Sequence, residues 1–216
     1  MTEIVIPNSV TSIGEGAFQD CFHLKSVTLP NGLTTIEDFM FCNCINLKTS
    51  VIPNTVTSIG ECAFASCGLN AIYIPNSVQT IGEEAFSNDS LLTTVFFGAG
   101  VKTIGDKAFD GCDKLYIVAT YAVTPPTITT DTFTVYAYLN ATLFVPTGCK
   151  TAYQNTPWKA FKIEEEAFLG VDELVSAEAE IVGYYNMQGV MSTEPWDGVN
   201  IVVYSDGSRR KMMLKQ

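Results

Sequence analysis

Seven cysteines and a single histidine are the residues in this 216-residue chain best equipped for chemistry, and their placement argues against it. His23 has no second histidine to join in a zinc site, and any Ser-His-Asp arrangement would have to be built around it. Cys21, Cys44, Cys67 and Cys112 fall at one recurring position, with Asp89 taking the place of the thiol in one instance. Periodic placement of that kind reads as a small buried side chain at the corner of a repeated unit. Thiols in adjacent units would approach disulfide distance, but with parallel Cβ vectors that suit a disulfide poorly. Cys42-Asn43-Cys44 and Cys62 near Cys67 could support one metal or disulfide site, yet no His or fifth Cys is obviously close. Gly98-Ala99-Gly100 lacks the Lys-Ser/Thr and following helix of a phosphate loop. Glu83-Glu84 places two carboxylates side by side on a turn, where they seldom converge on one atom. No cofactor and no metal is expected, and the chain does not read as an enzyme.

The elements that carry these residues are repeats. Ile6-Pro7-Asn8-Ser9-Val10-Thr11-Ser12-Ile13-Gly14-Glu15-Gly16-Ala17-Phe18 returns as Leu29-Pro30-Asn31-Gly32-Leu33, Ile52-Pro53-Asn54-Thr55-Val56 and Ile74-Pro75-Asn76-Ser77-Val78. A worn copy follows at Phe97-Gly98-Ala99-Gly100-Val101, all at intervals of 22–23 residues. Self-similarity at that period means stacked coils. Aligning the copies gives four inward columns: Val10, Leu33, Val56, Val78, Val101; Ile13, Ile36, Ile59, Ile81, Ile104; Phe18, Phe41, Phe64, Phe86, Phe109; and Leu24, Leu47, Leu69, Leu92, Leu115. One coil cannot bury such side chains alone; stacking gains about 1.5–3 kcal/mol for each. After each Phe comes a polar turn and then Leu-x-x-Val-x-Leu/Ile, whose end alternates like a strand, so successive strands must pair in parallel. Pro and Asn end each strand. Gly-Glu-x-Ala-Phe is too short for a long helix and suggests a single helical or 3₁₀ turn.

Ile-Pro-Asn-Ser-Val-Thr-Ser-Ile-Gly-Glu-x-Ala-Phe-x-x-Cys, repeated in register, resembles the BspA-like leucine-rich repeats of bacterial surface proteins. The expected fold is a right-handed leucine-rich repeat solenoid, with a parallel sheet on one face and short or 3₁₀ turns on the other. The resemblance implies a secreted or surface-exposed binding protein, adhesin-like, with a protein or glycan ligand. A spacer that holds other domains of a larger surface protein is the alternative. The second copy departs from the pattern, with Glu37-Asp38-Phe39-Met40-Phe41.

Outward strand positions form the candidate binding face: Thr28, Val51, Tyr73, Phe96 and Ala119, and two residues earlier Ser26, Thr49, Ala71, Thr94 and Ile117. Of these, Thr28, Val51, Tyr73, Thr94, Phe96 and Ile117 are the proposed contacts. Tyr73 and Phe96 lie on successive strands; they either pack on one another or serve a partner as rigid anchors.

From about residue 120 the repeats degrade. Asp131-Thr132-Phe133 reads as a remnant Ala-Phe turn, Ala141-Thr142-Leu143-Phe144-Val145-Pro146 as a strand closed by Pro, and Tyr153 and Trp158 as a helical face broken by Pro157. Together with Phe161 they resemble the family's closing repeat, a lid over the last coil. The division expected is a solenoid over 1–163, an acidic linker over 164–180 opened by Glu164-Glu165-Glu166, and a small antiparallel β domain over 181–216. Tyr184-Tyr185, Gly189, Gly198-Val199-Asn200-Ile201-Val202 and Ser205-Asp206-Gly207-Ser208-Arg209-Arg210-Lys211 resemble the C-terminal sorting tails of secreted Bacteroidetes proteins. Such a tail implies export to the extracellular or outer-membrane surface. The formal charge of −11 gives no reason to seek nucleic acid or an anionic membrane. No apolar run reaches 18 residues, so no membrane span is expected. The chain starts almost within a repeat, like a trimmed piece, so the missing leader says little about compartment.

Overall fold

The computed structural model describes residues 2–166 and, beyond them, the strands at 181–185, 191–192, 198–204 and 209–214. Residues 1–166 form one compact unit and 167–216 a second.

The first unit is a parallel β-solenoid. Its broad face carries β1 (Glu3–Val5), β2 (Ser26–Thr28), β4 (Thr49–Ser50), β6 (Ala71–Ile74), β8 (Thr94–Phe97) and β10 (Ile117–Thr120). These fall into a three-stranded sheet in the order β1-β2-β4 and a five-stranded sheet that begins at β6. The second sheet continues through β11 (Thr142–Pro146) and ends at β12 (Lys162–Glu166), every pair parallel. A second, narrow parallel sheet forms where the sequence suggested only a turn. In it β3 (Thr35–Ile36), β5 (Ser58–Ile59), β7 (Thr80–Ile81) and β9 (Thr103–Ile104) stack their isoleucines in register. The step is Thr-Ile in three of these strands and Ser58-Ile59 in β5, and the β-branched isoleucine common to all four suits a short buried strand.

The four columns close the interior. Leu33, Ile36, Phe41, Leu47 and their equivalents in the next coils are buried, while Ile13 and Phe18 of the first coil are only partly covered. The phenylalanines form one continuous stack: successive ring centroids from Phe18 through Phe41, Phe64 and Phe86 to Phe109 lie 5.2–5.3 Å apart. The remnant Phe133 joins as a sixth ring, 5.0 Å from Phe109.

Gly-Glu-x-Ala-Phe does not form a 3₁₀ turn. Alternate amides close short turns within the coil, as Met40 N–H to Glu37 O and Cys42 N–H to Phe39 O. The amides between them cross to the next coil: Phe39, Phe41 and Asn43 donate to Glu61, Ala63 and Ala65 at 2.8 Å. The same three crossings recur from Cys62, Phe64 and Ser66, and again from Glu84, Phe86 and Asn88. A helix would spend all of these amides locally; the solenoid gives half of them to its neighbour. Reaching that geometry puts Phe39, Cys62, Glu84 and Lys107 at φ of 51–56°, in the left-handed region. The Gly of the motif answers to a close approach: a Cβ on Gly82 would stand 2.6 Å from the Gly60 carbonyl carbon. Asparagines after the Pro also link coils, Asn8 Oδ1 accepting from the Asn31 amide and Asn76 Oδ1 from Ala99, both at 2.9 Å.

The closing segment is built as expected from a broken helix. α1 (Val135–Asn140), α2 (Lys150–Gln154) and a 3₁₀ helix (Pro157–Ala160) bring Tyr153 and Trp158 inward. Tyr153 OH donates to Ala122 O and Trp158 Nε1–H to Pro126 O, each at 2.7 Å, so both buried polar tips are satisfied. Glu164-Glu165-Glu166, expected to open the linker, instead completes β12 beside Phe144-Val145-Pro146. An edge strand tolerates this because Glu165 and Glu166 stay in water while Ile163 fills the core.

In the second unit β13 (Ile181–Tyr185), β14 (Met191–Ser192), β15 (Gly198–Tyr204) and β16 (Arg209–Leu214) pair antiparallel in the order β14-β13-β15-β16. The linker over 167–180 and the turns at 186–189 and 205–208 lie outside the described residues.

Candidate functional site

Period-two alternation on the broad sheet sends Val27, Ile72, Val95 and Val118 inward and sets Thr28, Val51, Tyr73 and Phe96 on the outer face. Parallel register then aligns Tyr73 with Phe96, Phe96 with Ala119, Ala119 with Phe144 and Phe144 with Glu164. A second row, two residues earlier, runs Ala71, Thr94, Ile117, Thr142 and Lys162. Of the six contacts drawn from sequence, Tyr73, Thr94, Phe96 and Ile117 share the five-stranded sheet. Thr28 belongs to the three-stranded sheet, and Val51, 80% exposed, directly follows that sheet's last strand.

Thr94 has to be removed from the contact set. It lies on the outer face but is only 8% exposed, flanked in register by Ala71 and Ile117. Ala119, in the row of Phe96 and Phe144, is closed off further, at 1%. Ala119, a small side chain between two phenylalanines, is covered by them although it points outward. Tyr73, Phe96 and Ile117 remain half-buried and Thr28 exposed.

Two aromatics on the same face escaped the sequence reading. Phe144 takes the outward place on β11 that Phe96 takes on β8, and Tyr121 follows β10 directly. The signal for Phe144 was present in Leu143-Phe144-Val145-Pro146, once that string is aligned as one more strand before Pro. Burial pushes the Tyr121 phenol up, and Tyr73 and Glu166 add to the shift, so these three groups share one electrostatic neighbourhood. Burial alone raises Tyr73. The face is thus an aromatic patch bordered by the Lys162–Glu164 ion pair, at 3.1 Å.

Among the described residues the reactive types assemble no site. All seven cysteines are free thiols, and His23 is exposed. Cys44, Cys67 and Cys112 are buried, each donating its S–H to the backbone carbonyl of the Phe one coil back: Phe18, Phe41 and Phe86, at 3.1–3.2 Å. Burial pushes Cys44 up to about 12, with Cys21 adding to it, and raises Cys67 and Cys112 further. These are packing thiols held in the protonated form. Among the described residues no group of three His, Cys, Asp or Glu side chains could hold a metal ion.

Comparison with known proteins agrees with the repeat geometry. A family model described as the BspA type leucine rich repeat region, in six copies, matches residues 1–116. The chain belongs to the BspA-type leucine-rich repeat family. Among solved structures this BspA-type chain is similar to the pneumococcal vaccine antigen PcpA, with a TM-score of 0.66 and 19% identity over 77% of this chain and 42% of that one. It is also similar to a leucine-rich repeat protein of T. pallidum, with a TM-score of 0.48 and 31% identity over 55% of this chain and 51% of that one. A leucine-rich repeat protein from Bacteroides ovatus gives a TM-score of 0.44 and 23% identity over 76% and 51%. The BspA-type chain therefore spans about half or less of the length of these structures. No curated protein matches it. The family is a repeat family whose members generally bind proteins or build structure, and no catalytic family is indicated. Among the described residues no helix is long and apolar enough to cross a membrane.

Proposed function

We propose that this BspA-type chain is a non-enzymatic, adhesin-like binding protein displayed at the extracellular or outer-membrane surface. Its outer sheet face engages a protein or a glycan of a host or of another bacterium. The observation that carries this reading is the register: Tyr73, Phe96 and Phe144 occupy the same outward row of one rigid sheet, with Tyr121 and Ile117 beside them. Rigid aromatics lose little entropy on contact and serve well as anchors. Thr28 and Val51 extend the face across the neighbouring sheet.

The experiment is a glycan array and a surface-protein pulldown with the full chain, repeated with Tyr73→Ala/Phe96→Ala. The expected outcome is a reproducible ligand whose affinity falls at least about tenfold in the double variant. Unchanged affinity removes these residues from the site. The close packing of the face, with Ala119 at 1% exposure, favours a second reading as a structural spacer; a blank in both screens supports it. The strands from Ile181 to Leu214 fit a small antiparallel domain of the sorting-tail kind. Fusing residues 167–216 to a periplasmic reporter in a Bacteroidetes host tests that role, with surface display expected and periplasmic retention counting against it.

A further inference from the structure

The cysteine column contains one exception. Cys44, Cys67 and Cys112 lie three residues after Phe41, Phe64 and Phe109, and each gives its S–H to the Phe carbonyl of the preceding coil. Three residues after Phe86 the position is held by Asp89, and the carbonyl that continues the series one coil back is that of Phe64. Asp89 is fully buried, and neither carboxyl oxygen has a hydrogen-bond partner. A buried carboxylate without partners is among the costliest arrangements in a protein interior. A carboxylic acid at the same place has a donor where the thiols have theirs.

We propose that Asp89 is kept as a neutral carboxylic acid and donates its O–H to the Phe64 carbonyl, replacing the missing thiol, so that the solenoid weakens at this coil when the acid ionises.

The side chains around Asp89 offer the anion no positive charge. The titratable groups stacked on it are the thiols of Cys67 on one side and Cys112 on the other. Beyond Cys67 lie Cys44 and Cys42, and beyond Cys112 lie Asp110 and Asp113; all are neutral or negative. The Cys67 amide leans toward the carboxyl and favours its ionised form slightly, but it falls short of hydrogen-bond geometry, and burial outweighs it. As an acid, Asp89 would keep one oxygen toward the Cys67 amide and turn its hydroxyl toward Phe64.

The direction of the pH effect follows. Burial holds the Asp89 carboxyl well above the usual carboxylate range, so the folded chain keeps its proton to higher pH than the unfolded chain, which releases it near pH ~4. Stability from this group is complete below about pH 4 and is lost as pH rises through the folded value. The test compares thermal unfolding of the full chain with Asp89→Asn, which keeps a donor and cannot ionise, and with Asp89→Cys, which restores the column. Both variants are expected to melt several degrees above the parent at about pH 8 and to lose that advantage at about pH 4. A gap that stays constant with pH, or widens toward acid, overturns the proposal. Infrared spectra of the native parent at neutral pH supply a second readout. An acid carbonyl stretch that disappears in Asp89→Cys is expected, and its absence from the parent overturns the proposal even if a variant fails to fold.

Discussion

Single residues in this solenoid are set by how near the next coil comes. Gly82 has no room for a Cβ against the Gly60–Glu61 backbone, and backbone cannot swing aside as a long side chain can. Gly82→Ala is expected to cost about 1–3 kcal/mol in urea unfolding, as overpacking does. Lys107 presents the opposite case, an ordinary residue at φ 53° where the first coil has Gly16 at φ 60°. Lys107→Gly is expected to stabilise by up to about 1 kcal/mol, since glycine enters the left-handed region without strain. A loss of stability in that variant would mean the lysine side chain contributes more than the backbone conformation costs. The thiols allow a chemical check. Buried and held protonated, Cys44, Cys67 and Cys112 should resist iodoacetamide at pH ~8 in the native chain and react once it is unfolded, as followed by peptide mass mapping. Rapid native labelling of Cys67 would contradict its place in the core.

Elements show where sequence reasoning reaches and where it stops. The strands of the broad sheet, the four apolar columns and the remnant Phe133 were all legible, because a column repeated every 22–23 residues leaves little freedom in register. The narrow sheet was not, since two-residue strands such as Thr35–Ile36 carry no periodicity of their own and exist only by pairing. The 3₁₀ expectation failed for a related reason: local spacing cannot reveal that the amides of Phe39, Phe41 and Asn43 are shared with the next coil. On the candidate face, alternation gave the direction of Thr94 but not the neighbours that cover it, while Phe144 lay past the point where the repeat motif fades. Helix α1 offers a clean test at this scale. Thr134 Oγ1 caps it by accepting from the Ala137 amide at 3.1 Å, so Thr134→Ala should cost about 1 kcal/mol. Truncating Trp158, which touches Phe97, Phe133, Tyr153 and Phe161, should cost far more.

For the solenoid as a whole, each coil depends on its two neighbours, and stability should therefore vary along its axis. Phe64, stacked on both sides and wholly buried, should lose about 3–5 kcal/mol on truncation to Ala. Phe18, only partly buried, should lose clearly less. The shared amides of the turn face have a further consequence. The peptide unit whose carbonyl is Asp38 and whose N–H is Phe39 accepts from Gly16 and donates to Glu61; the unit of Glu61 and Cys62 repeats this toward Glu83, and that of Glu83 and Glu84 toward Asp106. Two parallel strings run through Phe18, Met40–Phe41 and Ala63–Phe64, and through Asp20, Cys42–Asn43 and Ala65–Ser66. All point the same way, head to tail, so their dipoles of about 3.5 D each add rather than cancel, as they do along an α-helix. One flank of this β-solenoid is thus electrically polarised along its length, with its carbonyl pole at the first coil and its amide pole toward the closing segment.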